Sequence, residues 1–479
     1  MFKMVKILSL FFFGFFCNIS YSSAQSVKLY EANIPFESKD TSLIVLEIVK
    51  KENGAATGFL TFPHYMQSRL KLENCSIIGD SIFFEYPRFD IDFRGSFNSS
   101  GISGLYRAGE KIYSVSFDQF DLSHRRPQAP KPPFSYIAKE VSYYSSDSLI
   151  RYGGTLTLPN EKGKFPAVVL LSGSGPQDRD ATMFYHKPFL VIADYLTERG
   201  FAVLRLDDRG VGGTTGGKLA NTTNDYAYDA LEAVAYLKRQ KNVNQSSIGL
   251  IGHSEGGIIA FLAAGRSSDI AFIVSLASPG LSGKEIALSQ LRQGLLAVEK
   301  DTVTVNNVLK FWDESFDIIN RTDKNSGRTE FLITTAFKEW LINFKDNPKS
   351  LALMGFDFSE FHKDTSIDKF LKKKMLIYLH PWYKYILAYN PHQILENIKI
   401  PILAVNGDQD ENVNADANLS RFKSLAEELD LALEVVKVPN VNHLLQNNRG
   451  SSIVNVYENE ETVSPDILDI IYQWVKKNK

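Results

Sequence analysis

Six short apolar runs constrain this chain more than anything else in it. They are FPAVVLL (165–171), FAVLRL (201–206), SIGLI (247–251), IAFIVSL (270–276), IPILAV (400–405) and LEVVKV (433–438). Each is apolar without alternation, so each must be buried on both faces, as in the strands of a parallel sheet covered on both sides. Helical patterns separate them. DYAYDALEAVAYLKRQ (225–240) gathers Tyr228, Leu231, Val234, Ala235 and Leu237 largely on one stripe. SPDILDIIYQWVKK (464–477) opens on Ser464 as N-cap and Pro465 at the first helical position, and closes on lysines. With KEVSYYS (139–145) and GGTLTLP (153–159) as a leading pair of strands, residues 135–479 are expected to form a doubly wound α/β domain.

The preceding residues follow another pattern. VLEIV (45–49), ATGFLTF (56–62), SIFFEYP (81–87), FDIDFRGSF (89–97) and KIYSVSF (111–117) alternate apolar with polar, and Asn53-Gly54, Gly79-Asp80 and Gly109-Glu110 supply turns. Residues 25–124 are therefore expected to be a small antiparallel β domain, sandwich or barrel. RRPQAPKPPF (125–134) carries four prolines from Pro127 on and reads as an extended linker.

Residues 281–398 interrupt the alternation. They hold amphipathic stretches such as KEIALSQLRQGLLAVEK (284–300) and RTEFLITTAFKEWLINF (328–344), and no clear strand. A helical insert between two core strands is expected to cap the carboxyl ends of the strands, where such sheets bind ligands, and to shape a pocket there.

The first 24 residues read as a secretory signal peptide. Lys3 and Lys6 precede an apolar run from Ile7 to Phe16, and Ser22-Ser23-Ala24 supplies small residues at a cleavage site. The run is shorter than the ~20 residues a spanning helix needs, so the mature chain is expected to lack a membrane span and to be periplasmic or secreted. Cleavage would take the formal charge from −2 to −4, by loss of two lysines, and leave Cys75 as the sole cysteine. Such a chain cannot form an internal disulfide. A weak negative charge argues against nucleic acid as a partner, and scattered histidines without paired-ligand spacing suggest no metal.

The chemistry centres on Gly252-His253-Ser254-Glu255-Gly256, between the run 247–251 and the apolar helix start Ile258-Ile259-Ala260-Phe261. Strand, sharp turn and helix around G-x-S-x-G is the setting of a nucleophile elbow. A serine hydroxyl needs a base, and the base an orienting carboxylate, in the chain order Ser, Asp, His. Asp408 and Asp410 follow the strand 400–405, and His443 follows the strand 433–438. An oxyanion needs two backbone donors. The amide of Glu255 is one. The other is expected from Ser172-Gly173-Ser174-Gly175, with Ser174 preferred over its two glycine neighbours.

GTLTLP, LLSGSGPQDRD, LRLDDRGVGGT, GHSEGG, PILAVNGDQDENV and NVNHLL together resemble the α/β-hydrolase superfamily. They are most similar to secreted or periplasmic bacterial esterases related to dienelactone hydrolases and serine aminopeptidase-type hydrolases, which often carry a β-rich N-terminal domain. The resemblance implies a mostly parallel eight-stranded sheet, no cofactor, and a small-molecule ester as substrate. It implies Ser254 as nucleophile, His443 as base and Asp410 as acid, because the family's acid follows the seventh strand as G-x-x-D-x-x-V, matched here by Gly407, Asp410 and Val413. It places Ser172 where other branches have histidine, and makes Asp207, Asp208 and Arg209 a brace for the site loops. His253 is expected to pack or hydrogen-bond. For PWYKY (381–385), at the end of the insert, pocket lining and core packing both stand. Amide cleavage or acyl transfer by the same triad, and a non-catalytic glycan- or lipid-binding role, remain alternatives to ester hydrolysis.

Overall fold

A computed structural model describes residues 26–36, 40–50, 55–65, 67–322, 326–344, 347–354, 377–447 and 453–479. The expected signal peptide (1–24) and the Asn53-Gly54 turn lie outside them.

The first nine strands are β1 (Ser26–Phe36), β2 (Asp40–Lys50), β3 (Ala56–Phe62), β4 (Gln67–Lys71), β5 (Asn74–Ile78), β6 (Ser81–Tyr86), β7 (Ile91–Phe97), β8 (Gly101–Ala108) and β9 (Lys111–Phe120). They form one antiparallel sheet in the order β4-β3-β2-β1-β9-β8-β7-β6-β5. The sheet curls on itself into a barrel form, in which Cys75 of β5 packs over Gly58 of β3. Period-2 alternation sends Ile44, Leu46 and Ile48 inward, where aromatic rings fill the space. Phe84 stacks on Phe93 at 5.0 Å, and Phe93 meets Phe117 edge-on at 5.4 Å. Five strands were foreseen here. The four missed are two short ones (β4, β5), β8 with its two glycines, and β1 at the amino end.

Eight further strands make the second sheet: β10 (Ile137–Tyr144), β11 (Arg151–Leu158), β12 (Phe165–Leu171), β13 (Ala202–Leu206), β14 (Val243–His253), β15 (Phe272–Leu276), β16 (Ile402–Gly407) and β17 (Leu433–Val438). Their order is β10-β11-β13-β12-β14-β15-β16-β17. β10 and β11 pair antiparallel and β11 meets β13 antiparallel, while all later pairings are parallel.

Besides a single turn at Leu122–Arg125, the described α-helices are α1 (Pro188–Glu198), α2 (Thr223–Lys238), α3 (Glu255–Ala264), α4 (Gly283–Val298), α5 (Thr302–Arg321), α6 (Ser326–Phe344), α7 (Pro348–Met354), α8 (Pro381–Leu387), α9 (Pro391–Leu395), α10 (Ala415–Leu429), α11 (Ile453–Glu458) and α12 (Pro465–Asn478). Five of the apolar runs are largely buried on both faces as expected, whereas LEVVKV forms the edge strand β17, where Glu434 and Lys437 are exposed and only Val438 is buried. Ala167 and Val169 face α2, α3 and α10. Val168 and Leu170 face α1 and α12. Helices α4 to α8 follow β15 and share a core of their own, centred on Phe311, Trp312, Phe316, Phe337 and Trp340.

The proline-rich stretch after β9 is anchored where it begins. Arg126 is 2% exposed. Its guanidinium donates to four carbonyls: Arg125 (2.6 Å), Asn459 (3.1 Å), Phe184 (2.9 Å) and Tyr457 (2.7 Å). Burial pushes its pKa down to about 10, so it stays charged near neutrality. Two residues on, the Gln128 side chain accepts from the Thr462 and Val463 amides and donates to the Val463 carbonyl. The start of the linker is thus a clamp between the barrel and the second domain. Arg126→Ala leaves buried carbonyls without their donor and is expected to cost about 2–4 kcal/mol. Urea unfolding followed by tryptophan fluorescence checks this, and a change below about 0.5 kcal/mol, the scatter of an ordinary surface substitution, would rule the clamp out.

Candidate active site

Ser254 lies on the turn between β14 and α3 with φ 55° and ψ −120°. This conformation is strained for a residue with a side chain, at a cost of about 1–3 kcal/mol. The surroundings hold it there. The Ser254 amide donates to the Leu276 carbonyl at 2.8 Å. Its carbonyl accepts from the Gly257 amide at 3.0 Å and from the Ser278 hydroxyl at 2.6 Å. The flanking glycines are steric necessities. A Cβ on Gly252 would lie 2.1 Å from the Gly256 carbonyl oxygen, and one on Gly256 would lie 2.1 Å from that of Leu171.

Asp410 follows β16 and His443 follows β17, each 6% exposed. His443 Nδ1 and Asp410 Oδ2 are 2.9 Å apart. A carboxylate oxygen accepts, so Nδ1 carries the hydrogen and Nε2 is the basic nitrogen of the neutral ring. The other carboxylate oxygen accepts from the Asn412 and Val413 amides at 2.8 and 2.7 Å. Asp408 sits elsewhere. It is exposed, and its carboxylate takes the Asn440 amide at 2.7 Å, tying the loop after β16 to the loop after β17. His253 donates from Nε2 to the His443 carbonyl at 2.8 Å. Burial pushes His253 down to about 4, so it is a neutral support for the His443 backbone.

Ser254, His443, His253, Gly173 and Ser174 line one cleft with about 560 Å³ of empty space, open to solvent. An added Cβ on Gly173 would lie 3.2 Å from the Ser254 Cβ, so the loop after β12 passes close to the serine. Glu255 is the first residue of α3, where helix amides lack intrahelical acceptors. Among the described residues, Ala181, Met183, Phe189, Leu444 and Leu445 supply the cleft's apolar side, and residues 355–376 of the insert lie outside the described residues.

The loops are braced by the expected acids. Asp207 takes the Arg179 side chain and amide and the Gly213 amide. Asp208 takes the Ser172 hydroxyl and the Gln177 amide, and burial pushes its carboxyl up to about 8. Arg209 pairs with Asp229.

Sequence reading missed a second role for Glu255. Its side chain is 4% exposed. It accepts from the Thr223 hydroxyl at 2.7 Å and from Trp382 Nε1 at 2.9 and 3.0 Å. Burial raises its pKa, and the neighbouring Thr223, Trp382 and Ser174 side chains oppose that rise. The carboxylate of a residue expected to offer an oxyanion amide is thus tied to α8 of the insert and lies beside Ser174, the other such residue. An acid in the turn after the serine was the only local signal, and its partners lie 32 and 127 residues away.

An eight-stranded sheet of this order, with a serine on the turn after its fifth strand, is the α/β-hydrolase fold. A family model described as serine aminopeptidase, S33, matches residues 185–327, which include the serine turn. Esterase EstD of Thermotoga maritima is 35% identical over 161 residues, which cover 33% of this chain and 38% of that protein. The match thus spans well under half of the curated relative. Among solved structures, the chain is similar to an esterase of Pyrococcus furiosus (15% identity, TM-score 0.40, covering 75% of this chain and 94% of that one). It is also similar to Est1E of Butyrivibrio proteoclasticus with ferulic acid bound (17% identity, TM-score 0.40, covering 71% and 99%).

Trp382→Phe keeps an aromatic ring and deletes the indole donor. It is expected to lower kcat about tenfold with KM little changed, if the Glu255 carboxylate positions the oxyanion amides. Glu255→Gln combined with it should add less than either change alone. Full additivity in steady-state kinetics would show the two side chains acting separately.

Proposed function

We propose that the protein is a serine carboxylesterase. The observation that carries this reading is the buried 2.9 Å contact between His443 and Asp410, with His443 and Ser254 on one cleft. Ser254 Oγ attacks the ester carbonyl as His443 Nε2 takes its proton. Asp410 fixes the tautomer and balances the imidazolium. The amides of Glu255 and Ser174 hold the tetrahedral oxyanion. His443 then returns the proton to the leaving alkoxide, giving an acyl-enzyme on Ser254. Water, deprotonated by His443, adds to that acyl group, and the acid leaves as Ser254 regains its proton. The likeness to EstD and the apolar cleft side favour an acyl ester as substrate. The packed aromatic interior of the barrel favours a supporting domain over a binding module. The serine aminopeptidase family match favours a second reading, amide cleavage by the same residues.

Hydrolysis of p-nitrophenyl esters of increasing acyl length is the test, with aminoacyl p-nitroanilides beside it. Ester turnover is expected, falling at least about 10³-fold in Ser254→Ala. Turnover of anilides alone would establish the second reading, and equal turnover by both proteins would remove Ser254 from its role.

We also propose export, on the strength of Lys3, Lys6, the apolar run and Ser22-Ser23-Ala24. Protein recovered from producing cells is expected to begin at Gln25. A retained leader on the active, soluble protein would overturn this.

A further inference from the structure

The cleft beside Ser254 has a wall that the second domain does not hold by itself. Residues 180–187 connect the oxyanion loop to α1. Ala181, Met183 and His186 face the cleft. Phe184 and Tyr185 face the other way, toward the barrel. Three non-glycine residues in this short stretch lie in the left-handed region: Ala181 (φ 52°), Phe184 (φ 48°) and Tyr185 (φ 66°). Each such residue is unfavourable alone, so the segment needs outside contacts to keep this path.

At Phe184 and Tyr185 those contacts come from the barrel and the linker. Phe184, 1% exposed, packs with Leu29 of β1, Leu43 and Val45 of β2, and Tyr457 of α11. Val45 is 0% exposed although its neighbours Ile44 and Leu46 point into the barrel. Its burial is therefore supplied by the loop on the barrel's outer face. The Tyr185 hydroxyl meets that of Thr61 in β3 at 3.4 Å. The Phe184 carbonyl accepts from Arg126 of the linker. Met183 belongs to both sides: it packs in the barrel-facing cluster and lines the cleft.

The adjoining part of the wall is held in the same way. Thr462 lines the cleft, its amide donates to Gln128 of the linker, and its hydroxyl meets His186 Nδ1 at 2.9 Å. His186 Nε2 reaches the Val456 carbonyl at 2.8 Å. That second bond makes Nε2 the donor, which leaves Nδ1 to accept from Thr462. Two segments of the cleft are thus joined across a histidine, and both are fixed from outside the second domain.

We propose that the N-terminal barrel is a specificity-determining part of the substrate site. Its outer face sets the position of Met183 and its neighbours, and through them the length of acyl chain the cleft accepts. This rests on the serine-hydrolase reading of the cleft. Leu43, Val45 and Thr61 are positioning residues, since none of them lines the cleft.

The test uses the full chain with Val45→Ala, and Leu43→Val as a milder truncation should the first fail to fold. Val115→Ala in the barrel interior is the control for a merely structural loss. The readout is the ratio of kcat/KM for p-nitrophenyl butyrate to that for the octanoate. Rates of covalent labelling by a short and a long alkyl fluorophosphonate are read in parallel. Both ratios are expected to change roughly threefold or more in Val45→Ala, through KM more than kcat, and to stay put in Val115→Ala. Unchanged ratios in a folded Val45→Ala or Leu43→Val protein overturn the proposal, as does an equal shift in the control. If the wild type hydrolyses no ester yet labels at Ser254, the ester reading falls and the labelling ratio still decides this one.

Discussion

The turn at Ser254 is the constraint on which the second domain depends. A serine at φ 55° is stable only where two strands and a helix leave it no other path. β15 supplies the acceptor for its amide, and α3 begins immediately after it. The close passage of Gly252 against Gly256, and of Gly256 against Leu171, removes any side chain from the flanks. The strain is offset by burial of β14 between two helical layers, where Leu250 and Ile251 face opposite cores and are each 0% exposed. Such strain has a chemical use. It lifts the hydroxyl clear of the sheet and points the first amides of α3 at the space beside it.

Around that turn, buried polar groups are joined in pairs that reach across long stretches of chain. Asp410 holds His443, His253 holds the backbone of His443, and Glu255 joins Thr223 and Trp382. None of these three links is a bare surface ion pair, whose worth would be small. Each is enclosed, so leaving one partner unmatched would carry a desolvation penalty. The insert therefore does more than cover the sheet. Through Trp382 it reaches a carboxylate one residue from the nucleophile.

Much of this was legible in the sequence because it follows from local pattern. Continuous apolar runs gave the parallel strands. Glycines around Ser254 marked a turn too tight for side chains. His443 could be placed because it follows a strand whose end the sheet carries to one edge, but the same argument left Asp408 and Asp410 both open, and only the resemblance, through the spacing of Gly407, Asp410 and Val413, pointed to Asp410. The illegible part depends on contacts with no local signature. Arg126 is held by backbone carbonyls, which any residue offers, and one of them is 333 positions away. The left-handed path through Ala181, Phe184 and Tyr185 contains no glycine to announce it. In the barrel, β4 and β5 are five residues each, too short for alternation to be counted.

The arrangement of the two domains follows from the same asymmetry. A barrel with a filled interior has only its outer face left to offer, and here residues such as Val45 make part of that face apolar. A loop with three strained residues needs a surface to lean on. Each therefore satisfies what the other lacks: the loop covers apolar surface that water would otherwise meet, and the barrel holds a backbone path that would otherwise relax. Arg126 and Gln128 bind the junction from the linker side, so the two domains do not behave as modules on a flexible tether. On the proposal made above, substitution of the few outer-face residues that meet this loop, Leu43 and Val45 among them, moves the wall of the cleft.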